Sequence, residues 1–491
     1  MITVATVLAL SALAAVLAFA RSRSLPRLPV LLTGVLAAIA LVPSAASAAS
    51  IKTGFADSLF SDPRSGVRNS WLNTAQDEGA GLIRVTVNWR SVTANSRPTD
   101  QTDPADPDYH WATLDRTVKS AEARGLDVMF LLNTAPRWAE GNDRPSNAQQ
   151  GSWKPDSAAF GRFGTALATR YSGSYPDPEG GTLPAVTYYE AFNEPNLDFW
   201  LAPQFEGGKN TGPELYRGLN NALAEGVKSA SPGAKIVGPA LAPFGGITGD
   251  KKSRTRPIKF MRDLFCLKGR KKLKPKACPG NDRLILDIVS HHPISVTGPP
   301  TQKAFNPDDA TAGDMRKITK VVRAAEKGRT VLPAKIRRPI WVSEYWYRSR
   351  PPAKGGVKLA TQAKWVEQSL YIFWKAGVKM AIYNLLRDRP NDDQNAFGLY
   401  FKNGDAKPAA TAFRFPFVTH RSGKRKLKVW GKAPSTGKLA VQRKRGKRWK
   451  TVKRLDVKQG KVFQAKLRLK GKQKLRASLG GERSLVWTQK R

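Results

Sequence analysis

The 491 residues carry 82 Lys and Arg against 38 Asp and Glu, a formal charge of +44, and 41% are hydrophobic. That apolar content excludes a disordered chain, and the length exceeds what one core fills, about 250 to 300 residues, so a large domain with an appendage is expected. So positive a field attracts polyanions, among them nucleic acid, anionic lipid and acidic wall polymers, without choosing between them.

Two apolar runs open the chain, "ITVATVLALSALAAVLAFA" and "VLLTGVLAAIALV", separated by the basic "RSRSLPR". The second has the order of a secretory signal, ending in "PSAASAAS" with Ala46 and Ala48 in an A-x-A cleavage arrangement. The first is long enough to anchor in a bilayer. Residues 1–48 are therefore expected to be a signal peptide or an N-terminal membrane segment, and the protein to be secreted, touching a membrane only through that segment.

Short apolar runs then alternate with longer amphipathic stretches. "IKTGFAD" and "LIRVTVNW" are the first two expected strands; the helical "WATLDRTVKSAEARG" leads to "LDVMFLLNTAP", and "DSAAFGRFGTALATRY" to "AVTYYEAFNEP". "ELYRGLNNALAEGVKSA" precedes "AKIVGPALAP", followed by "LILDIVSHHP" and "PIWVSEYW"; "LATQAKWVEQSLYIFWKAG" precedes the eighth strand, "KMAIYNLLRD". Near-continuous apolar strands alternating with helices imply a parallel sheet covered by helices, and eight such units imply a closed (β/α)8 TIM barrel over residues 49–417. An open doubly wound sheet is the rival, although no G-x-G-x-x-G turn follows the first strand.

The two cysteines, Cys266 and Cys278, flank the basic "LKGRKKLKPKA" with no further soft ligand nearby, so a structural disulfide and no metal site is expected. From Arg421 the pattern changes to short alternating runs, with 26 Lys and Arg against 2 acidic residues up to Arg491, a net +24. Residues 421–491 should form a small, strongly basic, β-rich sandwich-like domain.

Catalytic side chains of a barrel enzyme stand at the C-terminal ends of its strands. Glu194 ends the fourth expected strand and Glu344 the seventh, so the two carboxyls can face one substrate atom across the mouth. That is the arrangement for cleaving a glycosidic bond, one acid protonating the leaving oxygen and the other attacking the anomeric carbon. Proline at 195 turns the chain out of the strand, and the amide of Asn193 can bond a sugar hydroxyl.

With "FNEP" and "WVSEYW" in these places, residues 51–415 resemble the retaining glycoside hydrolases of clan A, which include families 5 and 39 and the α-L-iduronidase type. The resemblance implies Glu194 as acid/base, Glu344 as nucleophile, Asn193 on the sugar 2-hydroxyl, and Arg84 in "LIRVTVNW" beneath the nucleophile. In "SHHPIS", His292 matches the sixth-strand element, but Ile294 stands where a tyrosine would bond the nucleophile, leaving Tyr345 or Tyr347 as substitutes. His110 and His420 are expected at the surface.

Trp138, Trp200, Trp346 and Tyr383 lie at or just beyond strand ends, where aromatic faces can stack on sugar rings. The expected function is an exported, monomeric, cofactor-free retaining glycoside hydrolase acting on an oligo- or polysaccharide. An anionic cell-wall or surface polymer is a second partner, met by the basic tail. A non-catalytic carbohydrate- or wall-binding barrel is the alternative. Nucleic acid is not the expected partner, for lack of a recognised binding motif.

Overall fold

The computed structural model describes residues 50–246, 253–295, 298–389 and 395–490. The expected leader, residues 1–48, lies outside them. The eight expected strands all form, as β1 (Lys52–Ala56), β2 (Leu82–Asn88), β3 (Asp127–Asn133), β4 (Tyr188–Ala191), β5 (Lys235–Leu241), β6 (Ile288–His291), β7 (Ile340–Tyr345) and β8 (Val378–Asn384). They pair in parallel and close into a barrel, β8 returning to β1, which removes the open-sheet alternative.

After each strand comes a helix: α1 (Ser65–Asp77), α2 (Ala112–Glu122), α3 (Ser157–Arg170), α4 (Gly212–Ala230), α5 (Pro257–Leu264), α6 (Met315–Gly328), α7 (Leu359–Lys375) and α8 (Pro408–Arg414). Alternation along the strands sends one set of side chains inward, where Leu82, Met129, Val237, Ile288, Trp341 and Met380 pack together, and the other set against the helices. Asp156 starts α3 by accepting the Ala159 N–H at 3.0 Å. Helices α3 and α4 touch backbone to backbone because Gly226 faces Gly161; a Cβ at 226 would meet the Gly161 oxygen at 2.1 Å.

In β7 the alternation breaks. Val342 pairs with Ala381 and Tyr345 with Tyr383, so β7 holds one residue more than β8 over the same stretch, a bulge. Trp341 and Ser343 face inward and the extra residue, Glu344, does too. Tyr345 is thereby turned outward, edge-on to Phe373 of α7 and to Tyr383.

The chain continues into an antiparallel β domain. Strands β9 (Phe417–Arg421), β10 (Lys426–Lys432) and β13 (Val462–Arg468) form one sheet; β11 (Gly437–Arg445), β12 (Arg448–Val457) and β14 (Gln473–Leu479) form most of another. The first sheet docks on the barrel. Trp430 lies 5.5 Å from Tyr371 and 5.8 Å from Trp374, both on α7, and the buried Lys432 ammonium donates to Thr53 of β1 at 2.7 Å. His420, expected at the surface, is half-buried here with Nδ1 3.1 Å from the Tyr371 hydroxyl, because β9 covers α7; His110 is exposed.

Cys266 and Cys278 form a disulfide with Cα atoms 5.2 Å apart. Among the described residues no helix is long and apolar enough to cross a membrane.

Candidate active site

The C-terminal end of β4 runs into two non-glycine residues in left-handed conformation, Phe192 at φ +51° and Glu194 at φ +41°. Such backbone costs of order 1–3 kcal/mol per residue and persists where the surroundings enforce it. Here Phe192 packs against Phe160 of α3, while the Glu194 N–H donates to the Ala240 carbonyl of β5 at 3.1 Å. The amide of Asn196 then clamps the outgoing segment, bonding both the N–H and the carbonyl of Ala242 and the carbonyl of Thr255. The Glu194 carboxyl is left facing the barrel axis.

Glu344 arrives from the bulged end of β7, and a single buried ring connects the two acids. His292 Nδ1 is 3.0 Å from Glu194 Oε1 and 4.0 Å from Glu344 Oε2. Those two oxygens are therefore no further apart than the sum of the distances, 7.0 Å. His292 Nε2 lies 3.1 Å from the Ser343 hydroxyl.

Arg84, on β2, sits beneath both. It holds Glu190 at 2.7 Å, donates to Asn193 Oδ1 at 2.9 Å and approaches Glu344 Oε2 at 3.6 Å. Glu190 is fully buried and takes a second bond from the Ser290 hydroxyl at 2.7 Å, and Ser290 in turn accepts the Ala240 N–H at 3.0 Å. One network therefore joins Arg84 to the same β5 carbonyl segment that holds Glu194.

Electrostatics separate the carboxyl from the imidazole beside it. Burial pushes Glu194 up to about 7, against the opposing pull of Arg84, Arg254 and a hydrogen bond from Trp200. Burial pushes His292 down to about 4, so its ring is neutral at pH 7.

The structure thus brings together Glu194, Glu344, Asn193, Arg84 and His292, with Trp200 on Glu194 and the Trp346 indole donating to Glu344 Oε1 at 3.2 Å. It does not bring Tyr383 there: that ring is buried behind the sheet, its hydroxyl donating to the Phe397 carbonyl at 2.9 Å. Trp138 lies at the rim, with its N–H committed to Ser96 and its ring edge-on to Trp89. Neither tyrosine offered as a substitute reaches Glu344. Tyr345 faces the helices, and the Tyr347 hydroxyl meets Ser369 at 2.7 Å. The donor on Glu344 is Trp346, from the end of the same strand.

Sequence reasoning missed Glu190, Ser290 and Ser343. Glu190 left a trace, since an acid inside the apolar "TYYEAF" has the inward parity of Arg84 on β2, and two opposite charges in one barrel interior must pair. Among the described residues no cluster of three or more metal-ligating side chains occurs.

No family model matches the chain, and no curated protein is similar to it. Among solved structures it resembles a family 39 glycoside hydrolase from the gut symbiont Bacteroides cellulosilyticus WH2, at 14% identity and a TM-score of 0.53, covering 86% of this chain and 82% of that one. A GH39 enzyme from Xanthomonas axonopodis pv. citri (16% identity, TM-score 0.49, 86% and 92% covered) and a glucosidase from Croceicoccus marinus (14%, 0.48, 86% and 97%) are more distant in shape and add nothing to that likeness. That likeness is one of fold, here a (β/α)8 barrel followed by a β domain.

Proposed function

We propose that this protein is an exported retaining glycoside hydrolase that cleaves O-glycosidic bonds in an oligo- or polysaccharide. The observation that carries the proposal is the pair of strand-end carboxyls flanking one neutral histidine, with oxygens at most 7.0 Å apart. That bound is compatible with the spacing of double displacement, about 5–5.5 Å.

In this mechanism Glu344 attacks the anomeric carbon while Glu194 protonates the departing oxygen, leaving a glycosyl ester on Glu344. Glu194, now ionised, takes a proton from water, and that water releases the sugar with its configuration retained. The Arg84 guanidinium lies 3.6 Å from Glu344 Oε2 and is shared with Glu190 at 2.7 Å, which fixes where the nucleophile stands. Because Arg84 occupies Asn193 Oδ1, the amide NH2 of Asn193 is directed to a sugar hydroxyl.

His292 and Ser343 serve both states of the acid. Protonated Glu194 donates to Nδ1, and the Nε2–H then donates to Ser343. Ionised Glu194 accepts from Nδ1–H, and the Ser343 hydroxyl then donates to Nε2.

The test is the division of labour. Glu344→Ala should abolish turnover of activated aryl glycosides and be rescued by azide with inversion, whereas Glu194→Ala should keep fast glycosylation on good leaving groups. Equal activity of both variants and the native enzyme would sink the assignment. For the +24 tail we propose an anionic wall or surface polymer as partner; Lys438, Lys444 and Arg454 are exposed on its second sheet.

A further inference from the structure

The two oxygens of Glu344 stand in different surroundings. Oε1 accepts the Trp346 indole N–H at 3.2 Å. Oε2 faces Arg84 at 3.6 Å and His292 Nδ1 at 4.0 Å, both outside the hydrogen-bond range of about 2.7–3.2 Å. His292 is the ring on Glu194, so Oε2 is the oxygen turned toward the acid, and a bond held between the two acids meets Oε2 first.

Trp346 is held from outside its own strand. Its ring stacks on Phe397, with centroids 4.6 Å apart and planes 20° apart. Phe397 follows β8 and is buried, and its carbonyl accepts the Tyr383 hydroxyl at 2.9 Å. On one side of it the Ala396 carbonyl accepts the Ser349 N–H at 2.9 Å; on the other the Gly398 N–H donates to Asp388 at 2.8 Å. Gly398 passes so close to Arg387 that a Cβ there would lie 2.5 Å from the Arg387 carbonyl carbon. With Phe397 fixed at both flanks, the stack sets the plane in which the Trp346 N–H points. Tyr383, which does not reach the site, thus acts on Glu344 through Phe397 and Trp346.

We infer that Oε2 of Glu344 forms the bond to the sugar, that Oε1 keeps the Trp346 N–H through both steps, and that this hydrogen bond assists release of the sugar rather than attack on it. The inference rests on Glu344 being the nucleophile of a double displacement. In the first step a lone pair of Oε2 forms the bond to the anomeric carbon, the bond to the leaving oxygen breaks, and that oxygen takes the proton of Glu194. Oε1 becomes the carbonyl oxygen of a neutral ester and still accepts the N–H. In the second step water attacks the anomeric carbon and gives a proton to Glu194, and the electron pair of the breaking bond returns to Oε2. Attack therefore consumes the carboxylate charge and release restores it. A hydrogen bond to an ionised acceptor is roughly twice as strong as one to a neutral acceptor. The Trp346 N–H accordingly binds the transition state for release more tightly than the ester, and the transition state for attack less tightly than the free carboxylate.

The test is Trp346→Phe, which removes the N–H and keeps a ring against Phe397. The probes are the 2,4-dinitrophenyl β-glycosides of glucose, galactose, mannose, xylose and glucuronic acid. Their leaving group needs no acid, so release limits kcat while kcat/KM reports attack. For the glycoside that the native protein turns over fastest, kcat and KM should both fall about tenfold, and kcat/KM should change less than about threefold. The burst of dinitrophenolate before the steady state counts the competent sites, so a poorly folded fraction does not enter the rates. Phe397→Leu, which keeps the N–H and loosens the ring, should lower kcat and KM together by a smaller factor, about threefold. A fall in kcat/KM with KM unchanged or raised would mean that Trp346 only places the carboxylate for attack; an unchanged kcat would mean that it does not serve release. Either result overturns the inference. Failure of the reading beneath it looks different: no burst from any of these glycosides in the native protein, which overturns both.

Discussion

Two substitutions at Trp200 should move the alkaline limb of catalysis in opposite directions. A carboxyl with its ordinary value of 4.5 would hold its proton in about one molecule in 300 at pH 7, whereas Glu194 at about 7 holds it in half. Burial produces that gain, and the indole N–H of Trp200 opposes it by bonding the ionised form. Trp200→Phe keeps the ring and removes the bond, so the limb of kcat/KM should rise by about 1–2 units, the equivalent of a charge-assisted bond worth roughly 1.5–3 kcal/mol. Trp200→Ala also admits water; burial is the larger cause, so the limb should fall, by about one unit or more. The assay is kcat/KM against pH on a glycoside with a poor leaving group, with a dinitrophenyl glycoside as control, since that substrate needs no acid and should show no such limb. Shifts of the same sign in both variants, or a limb that stays in place, would show that Glu194 does not set it.

Arg84→Met should cost about 3–5 kcal/mol in denaturant unfolding, because it leaves Glu190 buried without its cation; Arg84→Met with Glu190→Gln should regain much of that stability but not the activity, as Glu344 and Asn193 stay unsupported. Recovered activity in the double variant would make Arg84 purely structural. Replacing Cys266 and Cys278 by serine should cost about 2–3 kcal/mol, the entropy of a closed loop spanning 12 positions, and leave the mouth intact in turnover assays. Reversing Lys438, Lys444 and Arg454 to glutamate should release the protein from an acidic polymer at markedly lower salt, read by elution from immobilised polygalacturonate.

Some of this protein is determined by the sequence alone. Eight apolar runs alternating with amphipathic helices require a parallel sheet covered by helices, because strands buried on both faces need helices outside; that the sheet closes, β8 returning to β1, was decided by the tertiary structure. Strand-end placement of Glu194 and Glu344 follows from that pattern, as does the basic domain after Arg421. Which way those side chains point does not. By strict alternation from Trp341 and Ser343, Glu344 would face the helices and Tyr345 the axis. One extra residue in β7, visible only in its register with β8, reverses the two. The same limit explains Tyr383, whose place near a strand end was legible but whose face was not. Glu194 reaches the axis through left-handed turns at Phe192 and Glu194, a backbone state that no residue preference favours and that contacts from α3 and β5 impose. The partners of Arg84 and His292 come from distant strands, Glu344 being 344 − 84 = 260 residues from Arg84, and such pairings exist only once the barrel has closed. A sequence orders side chains along a line, whereas the proton affinity of Glu194 depends on what surrounds it in three dimensions.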